Sequence, residues 1–206
     1  MNTERLYRIV KDWYTQERDD SLKQEMGAVM DRLEAEMRQH LAKVSGIADI
    51  VKAAEKIVKA AKEGDRDSVK GMWQSGGKWC ICDDKRGVRF NDEMPLEKLD
   101  ERVKPLDIDR IFDLSIYNAT REIKLPDLAD LKLWGKTHKP EGKKPQAPYL
   151  LDASIPLYVD VKFLICMMEC LPDARVKVGG SRDLLYFSAE NGDGLLYPVR
   201  VAEKSE

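Results

Sequence analysis

The chain has 206 residues, 43% of them apolar and 35% charged, with 35 basic and 37 acidic side chains for a formal charge of −2. That apolar content supports a packed core and excludes a disordered chain. The near-neutral balance excludes a global basic field for nucleic acid, so any such site has to be a local stripe. The longest apolar run, 161–171, is interrupted by Lys162 and Glu169 and falls short of the about 20 apolar residues of a bilayer span. The N-terminus has no signal-peptide core and carries acid from Glu4 onward. The chain therefore reads as cytoplasmic, with no membrane partner.

In chain order, Leu6, Ile9, Val10 and Trp13 predict an amphipathic helix over 3–14. After a polar break, Asp20 or Ser21 caps a second helix whose stripe is Leu22, Met26, Val29, Met30, Leu33, Met37 and Leu41. This helical segment, 1–45, either packs on the body of its own chain or offers a dimerisation or partner surface. Ser45-Gly46 is a break, and a third helix follows over 47–62 with Ile47, Ile50, Val51, Ala54, Ile57, Val58 and Ala61 inward. Lys52, Lys56 and Lys59 lie within an arc of about 60° opposite that apolar face, with Lys62 further round on the solvent side. They form either an ordinary solvated face or a helix laid against DNA phosphates, with Lys as a point charge that reads no bases.

From Gly64 the period changes to two. Strands are expected over 68–74, 78–83 and 87–90, with Ser75-Gly76-Gly77 as a turn. Short helices are expected over 107–117 and about 127–135. The Lys- and Pro-rich stretch 136–148, which holds His138, reads as an exposed linker. Extended segments follow at 149–153 and 157–158, then a helix over 159–171 ended by Pro172. Three further strands, 175–178, 184–189 and 195–201, complete the chain, with Asn191-Gly192-Asp193-Gly194 as a hairpin turn. Each half thus reads as a helix followed by three short strands, an internal repeat of pattern rather than identity. The expected class is α+β, with helices against antiparallel sheet.

The cysteines fall in two pairs, Cys80/Cys82 and Cys166/Cys170. Each pair shares a face of its strand or helix. A four-thiolate site is one reading, but neither spacing is the usual zinc C-x-x-C, and small buried hydrophobes are the favoured reading. Neither His40 nor His138 sits beside a nucleophile, and no phosphate loop or dinucleotide fingerprint is present. The expectation is a non-enzymatic protein without cofactor or metal, a nuclease built on scattered carboxylates being the catalytic alternative.

The stretch 184–201, LLYFSAENGDGLLYPVRV, resembles the C-terminal end of the bacterial DNA polymerase III β sliding clamp, which closes on a hydrophobic-Pro-hydrophobic-Arg-hydrophobic strand. Here that strand is Tyr197-Pro198-Val199-Arg200-Val201. Residues 159–176 resemble the helix and strand that precede it. Trp79 to Arg86 resembles the family's strand ending in an Asp-Gly-His-Arg-like turn, with Asp84 and Lys85 in place of Gly and His. The resemblance implies a DNA-clamp-like domain of two helix-plus-antiparallel-strand repeats over 46–201, with a tail at 202–206. It implies a processivity factor in DNA replication. Its partners would be duplex DNA along Lys52, Lys56, Lys59 and Lys62, and polymerase or clamp-loader peptides in a groove at Tyr197, Pro198, Val199 and Arg200. One domain per chain would need a homo-oligomer of about six copies to encircle DNA. Helix 159–171 lacks the family's basic surface, and 1–44 has no counterpart there. The alternative is an interaction adaptor that keeps the clamp fold without encircling DNA.

Overall fold

A computed structural model describes residues 3–139 and 147–201. The tail at 202–206 and Glu141, Lys143 and Lys144 of the expected linker lie outside the described residues. The chain divides into two compact units, 1–48 and 49–206.

The first unit is a hairpin of two helices, α1 (Thr3–Gln16) and α2 (Asp20–Val44). The cap of α2 is Asp19, one or two residues before the expected Asp20 or Ser21. Asp19 has extended backbone, and its carboxylate accepts from the N–H groups of Ser21 and Leu22. The helices run antiparallel, with Tyr7 Oη donating to Glu34 and the Tyr14 ring against Gly27 and Lys23. Leu33 and Ala42 are the buried residues of this pair.

The second unit is α+β. It contains α3 (Ala48–Glu63), α4 (Asp109–Asn118), α5 (Leu128–Thr137) and α6 (Val161–Cys170). Its seven-stranded antiparallel sheet is formed by β1 (Trp73–Ser75), β2 (Lys78–Cys82), β3 (Arg86–Phe90), β4 (Arg121–Ile123), β7 (Arg175–Val178), β8 (Leu185–Ala189) and β9 (Gly192–Leu196). A separate antiparallel pair joins β5 (Tyr149–Asp152) to β6 (Leu157–Val159). The sheet order is β1-β2-β3-β9-β8-β7-β4. Helix α3 precedes the meander β1-β2-β3, and α6 precedes β7-β8-β9. The two meanders meet where β3 lies antiparallel to β9.

Burial divides the sheet into two faces. Val88, Gly194 and Phe187 are cross-strand neighbours, and a Cβ on Gly194 would strike Met167 and Leu171, so their face is covered by α6. Cys80, Cys82, Gly87 and Leu195 point the other way, toward Ile108 and Phe112 of the α4 segment. Helix α3 lies beside α6, with the Cys166 thiol on the Ala53 carbonyl at 3.3 Å.

Three sequence expectations are corrected, and one strand was not expected. Residues 68–74 are not one strand: a short 3-10 turn covers Asp67–Val69, and Met72 bonds instead to the backbone of Glu97 and Leu99. The hairpin turn sits at Glu190-Asn191, and 192–194 belongs to β9, where glycine is required because the sheet and α6 press on the backbone. The last strand ends at Leu196 rather than Val201. The three-residue β4, paired at the edge with β7, had no legible pattern.

Candidate functional site

The segment after β9 is held without being part of the sheet. The Tyr197 N–H donates to the Lys85 carbonyl at 2.9 Å, and the Val199 N–H to the Tyr158 carbonyl at 2.7 Å. These bonds fix Val199, Arg200 and Val201 along one wall of a groove of about 570 Å³ whose other lining residues are Pro156, Tyr158, Ser181 and Arg182. Val199 is half-buried and Arg200 exposed, so the wall offers an apolar strip beside a cation. Arg182 adds a second guanidinium, and among the described residues no carboxylate is in the lining. Chemically, the groove suits an apolar chain carrying a carboxylate. Of the four expected groove residues, Val199 and Arg200 line it. Tyr197, 51% exposed, and the half-buried Pro198 lie next to it in the chain but not in its lining. Pro156, Tyr158, Ser181 and Arg182 were not legible from sequence. They come from β6, the turn before it and the β7–β8 loop, and share no local motif.

The four lysines of α3 all face solvent. Two are engaged: Lys56 Nζ lies 3.0 Å from Glu169, which also holds Lys132 at 2.8 Å, and Lys62 pairs with Glu97. Burial would raise the Glu169 pKa, but the two lysines outweigh it and hold the carboxyl below its ordinary range. Lys52 and Lys59 are exposed, with no ion pair among the described residues. The stripe is present as a surface, with half its charge already answered.

No family model, curated protein or solved structure matches this chain.

One polar cluster has no precedent in the sequence reading. Arg89 and Asp193, 8% and 5% exposed, face each other across the β3–β9 junction. The guanidinium donates to both Asp193 oxygens at 3.0 and 2.6 Å and to Asp109 at 2.8 Å, with its carbon 3.9 Å from the Phe112 ring centroid. Lys78 lies 3.2 Å from Asp193, and Ser75 donates to Asp109. Burial works against the charged Arg89, yet bonds to Asp193 and Asp109 raise its pKa. The Ser75 hydroxyl, then the guanidinium, hold the Asp109 carboxyl below its ordinary range. Every charge in this cluster has a partner, which makes it a clamp between the two meanders and α4. A second pair, Arg86 with Asp83, closes the β2–β3 turn: Asp83 accepts from the N–H groups of Lys85 and Arg86, and the Arg86 guanidinium lies over the Phe163 ring.

The cysteine pairs lie on opposite faces of the sheet, which overturns a four-thiolate site. Burial pushes the Cys80 and Cys82 thiols up to about 12, so they pack as small hydrophobes. Among the described residues no group of three or more His, Cys, Asp or Glu is placed to hold a metal. His138 stacks on Trp134 with ring centroids 4.3 Å apart and is exposed. Among the described residues no helix is long and apolar enough to cross a membrane.

Proposed function

We propose that this chain is a non-enzymatic, clamp-like protein of DNA replication that works by holding short peptide segments of other replication proteins. One observation carries the reading. The Tyr-Pro-Val-Arg-Val segment, the basis of the clamp resemblance, supplies Val199 and Arg200 to a groove that also contains Tyr158 and Arg182. The topology supports it as well, with two helix-plus-meander halves joined at antiparallel β3 and β9 and with α3 beside α6. The adaptor form of the reading is favoured over a DNA-encircling ring, because Glu169 and Glu97 already occupy two of the four α3 lysines.

The test is fluorescence anisotropy with a labelled clamp-binding peptide from a replicative DNA polymerase. The expected result is micromolar binding that weakens at least tenfold in both Val199→Asp and Arg182→Glu, with far-UV circular dichroism unchanged. Absence of binding by the unaltered chain, or equal binding by both variants, would overturn the reading. The second reading, a homo-oligomeric ring on duplex DNA, is favoured by the exposure of Lys52 and Lys59.

A further inference from the structure

The hairpin unit carries an apolar face that its own two helices leave open. Helix α1 has no buried residue, although Leu6, Ile9, Val10 and Trp13 form one stripe. Trp13 is 64% exposed, and Leu22 and Val29 are each 45% exposed. With Val10 and Met26 they form the apolar part of a groove of about 520 Å³ between the helices, whose other lining residues are Gln16, Glu17 and Glu25. A contiguous apolar patch on an otherwise charged hairpin marks an association surface.

The charges beside this face specify what covers it. At about 100° per residue, Glu25, Arg32, Glu36 and Lys43 fall within roughly 40° of one another on α2. They lie on the flank opposite Gly27 and Glu34, where α1 packs. Their order is acid, base, acid, base, and their spacing is symmetrical about Glu34. Arg32 and Glu36 stand two positions either side of it, Glu25 and Lys43 nine. When two copies of a helix pack antiparallel about a two-fold axis, the same flank meets itself and each residue faces its mirror position. An axis on this flank, level with Glu34, therefore sets Glu25 of one copy opposite Lys43 of the other, and Arg32 opposite Glu36. That gives four complementary pairs and no like-charge pair. Arg32 and Glu36 also pair along their own helix at 3.3 Å, and their side chains stay 82% and 49% exposed, open to a partner.

The same axis carries the uncovered ends of α2 into register. Leu41 and Val44, 55% and 73% exposed, come level with Gly27 and Gln24 of the other copy, beside the groove at Trp13 and Leu22. The overlapping part of two such hairpins is about 30 Å long and about 20 Å wide. That footprint of about 600 Å² per copy approaches the about 800 Å² per partner of a standard stable interface. We infer that a second copy of this chain covers the face, with the two α1–α2 hairpins packed as an antiparallel four-helix bundle about a two-fold axis level with Glu34.

The test is light scattering behind size exclusion on the full chain, with dilution to obtain the dissociation constant. The unaltered chain is expected at twice its 23.6 kDa mass. Glu25→Lys sets Lys opposite Lys43 at both symmetric positions, and Lys43→Glu sets Glu opposite Glu25. Each variant alone is expected to raise the dissociation constant about tenfold, as two exposed ion pairs turn from attraction to repulsion. An equimolar mixture of the two variants restores every pair and is expected to dimerise as tightly as the unaltered chain. A monomer at about 100 μM would overturn the inference, whether the face is covered by the chain's own second unit or by a different protein. So would variants that associate like the unaltered chain, or a mixture no tighter than either variant alone.

Discussion

Asp193→Ala is the most severe single change expected from this structure. Asp193 is 5% exposed and accepts two bonds from Arg89, at 3.0 and 2.6 Å, while lying 3.2 Å from Lys78. Truncation removes the carboxylate that pairs directly with both Arg89 and Lys78. It leaves Arg89, 8% exposed, with a single bond to Asp109 at 2.8 Å. Removing one member of a buried pair costs about 3–5 kcal/mol, because the other charge stays out of water without its partner. With a urea m-value of about 2 kcal/mol per M, the unfolding midpoint should fall by about 2 M. The assay is a urea titration followed by far-UV circular dichroism. Arg89→Met combined with Asp193→Ala takes away the stranded charge as well and should be more stable than Asp193→Ala alone. A loss under about 1 kcal/mol in the single variant, or losses that simply add in the double variant, would refute the argument that this pair is buried as a unit.

Gly192→Ala should destabilise by about 3 kcal/mol, since φ is 155° there and the new Cβ would lie 2.2 Å from the Arg89 carbonyl oxygen; thermal melts report it. The folded Glu169 carboxyl titrates below its ordinary 4.5, so its contribution is complete above that pH and is lost as pH falls through the lower folded value. Melts from pH 7 to pH 3 should therefore show Glu169→Gln less stable at neutrality, with a shallower decline in acid. Cys80 and Cys82 are buried with thiols pushed up to about 12, so an aromatic disulfide reagent at pH 8 should modify them only at the rate of unfolding. Rapid modification of the native chain would contradict that burial.

The helices were legible because their signal is local. The stripe from Leu22 to Leu41 and the pattern from Ile47 to Ala61 each repeat over several turns, so a periodic reading places them within a few residues. The sheet was legible only in part. Trp79 to Cys82 and Val88 to Phe90 are β-rich runs beside a glycine turn, but β9 is Gly-Asp-Gly-Leu-Leu and looks like a loop until the close approach of Met167 and the Arg89 carbonyl explains its glycines. The polar clamp was hidden for a different reason. Arg89 and Asp193 are 104 positions apart, and no spacing rule joins them. The available signal was a charge at an inward strand position, Arg89 between Val88 and Phe90, which demands a buried partner somewhere. The groove divides the same way: Val199 and Arg200 come from one short motif, whereas Tyr158 and Arg182 reach it only through the tertiary fold.

The α3 stripe gives the sharpest division between a DNA-bound clamp and an adaptor, because each phosphate contact has a measurable salt signature. Neutralising Z phosphates makes log K fall with log salt at a slope of about −0.9Z. Four free lysines per chain would give about −3.6. Lys56 is held by Glu169 at 3.0 Å and Lys62 by Glu97, so releasing either to a phosphate strands a carboxylate beside the DNA. Lys52 and Lys59 alone predict about −1.8 per chain, too shallow for stable contact by one copy at physiological salt. Anisotropy of a labelled 30-base-pair duplex between 50 and 200 mM salt measures the slope, normalised to chains bound. Lys52→Glu with Lys59→Glu should abolish what binding there is, and Glu169→Gln should steepen the slope by at least one contact, because it releases Lys56 together with Lys132. A slope at or beyond −3.6 in the unaltered chain would show that the ion pairs open on DNA, and it would favour the encircling ring over the peptide-holding adaptor.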